Sequence, residues 1–104
     1  MKSRNVISKI TEKIRLGYKP EMIVLFGSYA QGQPGPDSDI DLLVIKDSVL
    51  RRDERDKEIR ALLHDIKFPL DIFVYTPVEA NKFRWLEGSF VNEIFKNGEI
   101  VYEK

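Results

Sequence analysis

Two aspartates separated by a single residue, Asp39 and Asp41, are the positions in this sequence whose type and spacing best suit chemistry. They open an acidic, then apolar, run over residues 39–45 that is typical of a β-strand. In a strand, residues i and i+2 project from the same face, about 6.6 Å apart along the axis. Two carboxylates so placed can both reach a pair of divalent cations about 3.5–4 Å apart. The spacing therefore predicts a cation site at one edge of a sheet.

A Gly-Ser pair is expected beside these aspartates. The apolar run over residues 22–26 predicts a buried strand that ends at Gly27-Ser28. Only the residues 29–38 separate this pair from Asp39, which is short for a parallel crossover. The two strands should therefore be antiparallel neighbours, with Gly27 and Ser28 next to the start of the second strand.

Asp71 adds a third carboxylate at the same edge. The connection that follows the second strand has room for a whole helix, which favours a crossover to a parallel third strand over residues 70–75. Parallel strands start at the same end of a sheet, and Asp71 is the second residue of this one. A lone carboxylate in an apolar strand is costly to bury unless it is paired or binds a metal.

The expected chemistry of this edge is that of a hard cation and a phosphate. An all-oxygen donor set suits Mg²⁺, which takes one or two carboxylates plus substrate phosphates. Gly27 would let the backbone approach a phosphate closely, and Ser28 has a hydroxyl and an amide to donate. A short helical turn over residues 29–31 would add its amino-terminal dipole to the anion site.

The remaining elements follow from periodicity and capping signals. Apolar residues at helical spacing predict two long helices, and Thr76-Pro77 with Glu79 predicts the start of a third. The predicted helices cover residues 4–18, 49–67, 77–85 and 89–96, and an edge strand covers residues 99–102. The order α-β-β-α-β-α-α predicts an α/β fold. Four aromatic residues of the last two helices are expected in the core, and several of them exposed would indicate a partner surface: Phe83, Trp85, Phe90 and Phe95.

Composition narrows the class of protein. The 104 residues suit a single domain, 1–104, and 42% hydrophobic with 33% charged residues is typical of a globular chain. Lys+Arg and Asp+Glu are both 17, which argues against direct nucleic-acid binding, because that needs a basic face. The absence of cysteine excludes disulfides and thiolate metal sites. With no apolar run long enough to span a bilayer, a cytoplasmic location is expected.

Gly27-Ser28, ten residues, and then Asp39-Ile40-Asp41, with Asp71 on a later strand, resemble the signature of the polymerase-beta-like nucleotidyltransferase superfamily. The small size resembles the minimal nucleotidyltransferases, many of which are antitoxins that adenylylate a helical HEPN-type toxin. The resemblance implies a polymerase-beta-like α/β (α+β) fold and ATP as the nucleotide donor. It also implies two Mg²⁺ ions on Asp39, Asp41 and Asp71, with Asp71 as the proposed base. The implied partner is a HEPN-type protein in a hetero-oligomer.

One departure from the family pattern keeps other functions open. Relatives often have a basic residue just after Gly-Ser, whereas Tyr29 follows here, so the triphosphate would meet metal, amides or a distant base such as Lys46 or Arg84. The alternatives are a binding module that neutralises its partner by occlusion, and transfer to a small molecule. A calcium-binding loop is excluded, because its sixth and twelfth positions would be Leu42 and Ser48 rather than Gly and Glu.

Overall fold

The computed structural model describes residues 2–104, with side chains from Arg4 onward, as one sheet with helices on both faces. No helix in this part of the chain has the length and apolar character needed to cross a membrane. The elements in chain order are α1 (Lys2–Gly17), β1 (Met22–Phe26), β2 (Ile40–Ile45), α2 (Asp56–Leu62), β3 (Leu70–Tyr75), α3 (Pro77–Arg84), α4 (Phe90–Asn97) and β4 (Glu99–Glu103). The α/β fold class predicted from the sequence is confirmed.

The sheet has the strand order β3-β2-β1-β4. Strands β1 and β2 are antiparallel, with Phe26 paired to Asp41, and β2 and β3 are parallel, with Asp41 paired to Asp71. Both pairings confirm the predictions made from connection lengths. Strand β4 adds an antiparallel edge to β1, with Leu25 paired to Glu99. The end of β1 and the starts of β2 and β3 therefore meet at one end of the sheet.

Alternation along the strands divides the core between the two faces. Leu42, fully buried, packs with α1 and α2, whereas its neighbour Leu43, also fully buried, packs with α3 and α4. The first core contains the α1 stripe Ile7, Ile10 and Ile14, which follows helical spacing. Because the side-chain period of a strand is two, Asp41 lies on the same face as Leu43, toward α3 and α4.

The predicted helix over residues 49–67 is wrong in its length. A 3-10 turn occupies Arg52–Glu54, and α2 covers only Asp56–Leu62. Local polar contacts replace the missing first turns, because the Ser48 hydroxyl accepts a hydrogen bond from the Leu50 amide at 3.1 Å. The buried Arg55 side chain then donates to the Leu50 carbonyl at 2.9 Å and to the Val74 carbonyl at 3.2 Å. These bonds fix the segment against β3 and keep it from forming the first turns of a continuous α-helix.

The start of α3 is confirmed in detail. The Thr76 side chain accepts from the Glu79 amide at 3.2 Å, and the Glu79 carboxylate accepts from the Thr76 amide at 2.9 Å. This reciprocal capping box, with Pro77 in the first turn, is the arrangement that the sequence predicts.

The expectation that the aromatic residues of α3 and α4 are core residues is only half right. Phe83 and Phe95 are partly buried against the second core. Trp85 is 76% exposed and Phe90 is 45% exposed. Both exposed residues lie at or beside the short α3–α4 connection. The exposed pair therefore belongs to the molecular surface.

Candidate active site

Asp39, Asp41 and Asp71 converge at the end of the sheet where β2 and β3 begin. One carboxylate oxygen from each lies within 4.8 Å of the other two. Direct pairing of Asp41 with Asp71 across the parallel strands places two of the carboxylates side by side. Asp39 lies two residues before Asp41 and so shares its face. Asp39 and Asp71 are exposed and Asp41 is half-buried, so the cluster is open to solvent on one side.

The electrostatics of the cluster favour the binding of a cation. Burial, together with the neighbouring charges of Asp71 and Asp39, raises the pKa of Asp41 to about 6. Three carboxylates at this separation repel one another, and a divalent cation among them would remove that repulsion. The donor set is all oxygen, which fits Mg²⁺. Asp39, Asp41 and Asp71 are the residues that would hold it.

Gly27 lies directly beneath the Asp41 carboxylate. Its φ angle is +76°, in the left-handed region that glycine adopts without strain. A Cβ atom added at Gly27 would come within 2.1 Å of the Asp41 Oδ2 atom, far inside van der Waals contact. Position 27 therefore needs glycine both for its backbone conformation and for the space that Asp41 occupies.

The segment after Gly27 forms a single helical turn that includes residues 29–31, as the sequence predicts. The Gly27 carbonyl accepts from the amides of Ala30 and Gln31, both at 3.1 Å, and the Ser28 carbonyl accepts from the Gln33 amide at 3.0 Å. Among the residues described, the Ser28 and Tyr29 amides donate to no backbone carbonyl. Those two amides, at the start of the turn, are the donors that this segment offers to an anion.

Lys46 and Arg84, considered from the sequence as distant bases for a triphosphate, lie elsewhere. Lys46 follows the far end of β2, about 16 Å along the strand from Asp41. Its ammonium donates to the Tyr18 and Lys19 carbonyls at the end of α1. Arg84 lines a cavity of about 430 Å³ that includes Met22, at the same far end of the sheet. Neither cation reaches the aspartates.

Sequence reasoning missed an aromatic cluster beside the aspartates. The rings of Phe26, Phe73 and Phe90 contact one another, with centroids 5.1–6.0 Å apart. Phe26 is the cross-strand partner of Asp41, and Phe73 is two residues beyond Asp71 on the same face. The predicted register already places two of these rings next to the site, so the signal was present in the strand alternation.

A comparison with known protein families identifies the family of this domain. A sequence model of the family described as polymerase beta, nucleotidyltransferase, matches residues 8–104. The chain belongs to this nucleotidyltransferase family. The matched segment contains Gly27, Ser28 and all three aspartates of the cluster. No curated protein sequence matches the chain at a significant level.

Solved structures with the same fold include other nucleotidyltransferase-like proteins. One, assigned as a nucleotidyltransferase from Sulfolobus solfataricus, is 18% identical with a TM-score of 0.67, over 96% of this chain and 79% of that one. A toxin–antitoxin complex with AMP-PNP contains a chain that is 24% identical, TM-score 0.65, over 93% of this chain and 73% of that one. A variant of the MntA–HpeT toxin–antitoxin complex gives 22% identity and a TM-score of 0.63, over 93% and 73%. At these identities the likeness shows the fold of the nucleotidyltransferase domain.

Proposed function

We propose that this nucleotidyltransferase transfers AMP from ATP to a hydroxyl group of a protein partner in a Mg²⁺-dependent reaction. The observation that carries the proposal is the convergence of three carboxylates, within 4.8 Å of one another, above a glycine whose missing side chain makes room for one of them. Bound Mg²⁺, two ions in the family pattern, would supply the positive charge that the triphosphate and the leaving pyrophosphate need. Asp39, Asp41 and Asp71 are assigned as its ligands.

The proposed transfer is a displacement at the α-phosphorus of ATP. The acceptor hydroxyl oxygen forms a bond to that phosphorus, and the bond to the oxygen that bridges to the β-phosphorus breaks. Pyrophosphate leaves with the bonding electron pair, and Asp71 accepts the hydroxyl proton. The Ser28 and Tyr29 amides and the Ser28 hydroxyl hold the triphosphate, and Gly27 lets the backbone approach it closely. Because Asp71 is exposed on an edge strand, an acceptor on another molecule can approach it.

The class of acceptor is proposed from the relatives and from the geometry. Two of the similar solved structures are toxin–antitoxin complexes, one of them with AMP-PNP. We infer that this chain acts as the antitoxin of a HEPN-type toxin and binds it in a hetero-oligomer. The open side of the aspartate cluster suits a large acceptor better than an enclosed small molecule.

A non-catalytic antitoxin that neutralises its partner by occlusion is the second candidate. The observation that favours it is the placement of Lys46 and Arg84 at the far end of the sheet, which leaves the triphosphate without either of these cations. The two candidates differ in one measurable respect, since only the first changes the mass of the partner.

The deciding experiment combines the chain, ATP, Mg²⁺ and the product of the neighbouring gene, followed by intact-mass analysis of both proteins. We expect an added AMP on the partner that disappears with Asp39→Asn. The matched control is Asp37→Asn, which removes an exposed aspartate outside the cluster and should leave transfer unchanged. A stable complex with neither protein modified would support occlusion instead. Neither complex nor modification would redirect the search to small-molecule acceptors.

A further inference from the structure

We propose that Phe90 is the binding residue for the base of the nucleotide, on which the adenine ring stacks. This inference rests on the proposed function, since it assumes that the phosphates of ATP lie at the aspartate cluster. It extends that function by assigning a recognition residue that neither the Gly-Ser pair nor the aspartates provide.

The position of the ring relative to the aspartates follows from the sheet. Phe26 is paired directly with Asp41, and Phe73 lies about 6.6 Å beyond Asp71 on the same face. Phe90, the first residue of α4, places its ring 5.7 Å from that of Phe26 and 5.1 Å from that of Phe73. The Phe90 ring is therefore supported by β1, which pairs with the strand that carries Asp41, and by β3, which carries Asp71.

The geometry of the ring contacts holds Phe90 in a fixed orientation. It meets Phe26 at an interplanar angle of 87° and Phe73 at 70°, both edge-to-face arrangements that aromatic pairs favour. The helix start beneath it is also fixed, because the Ser89 hydroxyl accepts from the Asn92 amide at 3.0 Å. An aromatic ring held from two sides loses little conformational entropy when a planar ligand binds to it.

The exposure of Phe90 identifies it as the member of the cluster that is available to a ligand. Phe26 and Phe73 are partly buried in the second core, whereas Phe90 remains 45% exposed. A nucleotide held by its phosphates at the aspartates extends its ribose and base away from them. On the face of the sheet that carries the aspartates, Phe26 and Phe73 lie next to the carboxylates and Phe90 lies beyond them. A base that extends over this face therefore meets the exposed Phe90 ring.

Stacking on an aromatic side chain suits any base, because every base has a π-face. A purine has two fused rings and so covers more of the Phe90 ring than a pyrimidine does. The inference thus predicts a preference for purine over pyrimidine nucleotides without strong discrimination between ATP and GTP. Trp85, at the end of α3, is 76% exposed, but among the described residues its ring has no contact with Phe26 or Phe73. Trp85 is therefore not part of the proposed base site.

The test measures affinity for two ligands that share the phosphates and differ in the base. Isothermal titration with Mg²⁺ present gives dissociation constants for ATP and for inorganic tripolyphosphate, on the parent chain and its variants. We expect Phe90→Ala to weaken ATP binding roughly 5- to 100-fold, the usual range for loss of a base stack. Tripolyphosphate binding should change less than about two-fold. Phe90→Tyr should keep ATP affinity, and Phe90→Leu, which retains packing on Phe26 and Phe73, should lose it.

Phe95→Leu is the matched control, because Phe95 is an aromatic residue of the same helix whose ring lies 4.2 Å from the Arg84 guanidinium, toward the far end of the sheet. It should leave the affinity for both ligands unchanged.

Unchanged ATP affinity in Phe90→Ala would overturn the inference while leaving the proposed function intact. Equal losses for ATP and tripolyphosphate would also overturn it, since the effect would then come from the phosphate site. Normal nucleotide binding with lost transfer would assign Phe90 to the protein acceptor instead. A parent chain that binds neither ligand would refute the proposed function itself.

Discussion

Gly27 and Asp41 share one small volume at the end of β1, and this gives a prediction at the scale of single residues. Gly27→Ala should cost about 1–2 kcal/mol for the left-handed backbone and about 1 kcal/mol or more for the contact with the Asp41 Oδ2 atom. Gly32 is a matched control, since its φ is +74° but no atom lies within 4 Å of an added Cβ. Gly32→Ala should cost only the backbone term. Chemical denaturation of both variants measures the difference, and equal losses would contradict the close contact.

A second residue-scale prediction concerns Asp41 and divalent cations. Mg²⁺ at ten times its dissociation constant should stabilise the parent chain by about 1.4 kcal/mol, a rise in melting temperature of roughly 5 °C or more. Asp41→Asn should abolish most of this rise and should be at least as stable as the parent without metal, because it removes one of three repelling charges. Thermal scans with Mg²⁺ and with a chelator test this. Asp37→Asn is the control, and an undiminished rise in Asp41→Asn would contradict the assignment.

The sequence predicted the members of the aspartate cluster but could not predict which cations would lie near them. Asp39, Asp41 and Asp71 follow from strand alternation and connection length, which are properties of the backbone. Lys46 was considered as a distant base for the triphosphate. Its ammonium instead bonds to the Tyr18 carbonyl, at the end of the sheet opposite the site. The direction of a long flexible side chain depends on tertiary neighbours that local patterns do not contain.

At the scale of elements, Glu79 connects α3 to the segment before α2. Its carboxylate accepts from the Arg55 Nη1 atom at 2.6 Å, from Arg52 at 3.3 Å and from the Thr76 amide at 2.9 Å. Arg55 is buried, so Glu79→Gln would leave its charge unpaired. We expect a loss of about 1–3 kcal/mol at pH 7. Glu54→Gln, which removes an exposed pair with Lys57, should cost less than about 0.5 kcal/mol. Equal losses would show that the contact with Arg55 is unimportant.

The same contacts give a pH dependence. The hydrogen bonds from the Arg55 guanidinium, with those from Thr76 and Arg52, lower the pKa of Glu79 from 4.5 to about 2. Because the pKa in the folded state lies below that of the unfolded chain, the stabilisation is complete above about pH 5 and is lost as pH falls toward 2. Glu79→Gln should therefore flatten the decline in stability between pH 5 and 2. Denaturation curves across that range test the sign, and a parallel decline in parent and variant would contradict it.

Elements whose ends carry local signals were predicted well, and those fixed by distant contacts were not. Thr76-Pro77 with Glu79 defines the start of α3 within four residues of sequence, and the structure follows it. The segment before α2 contains helix-compatible residues, yet Arg55 bonds it to the Val74 carbonyl on β3. A hydrogen bond between residues 19 positions apart cannot be predicted from the periodicity of a short helical segment. The exposure of Phe90 likewise depends on how α3 and α4 cross the sheet.

At the scale of the whole molecule, the two cores share one sheet, and we expect them to unfold together as the single domain predicted for residues 1–104. Leu42 and Leu43 are both fully buried and face opposite cores. Leu42→Ala and Leu43→Ala should each cost about 2–5 kcal/mol, a large share of the roughly 5–15 kcal/mol available to a chain of this size. Calorimetry should show one transition for each variant, at a lower temperature than in the parent. Two separate transitions would show that the cores are independent units.

The direct pairing of Asp41 with Asp71 also affects which register β3 adopts against β2 during folding. If β3 joined β2 one residue out of step, every side chain of β3 would change face. Asp71 would then turn its charge toward the apolar layer under α1 and α2, which is unfavourable for a carboxylate. The slipped sheet is thereby disfavoured before any substrate or cation is present. The carboxylate that the proposed chemistry requires therefore also disfavours a shifted register of β3. An apolar replacement at position 71 would remove both a proposed metal ligand and this selection against a misfolded sheet.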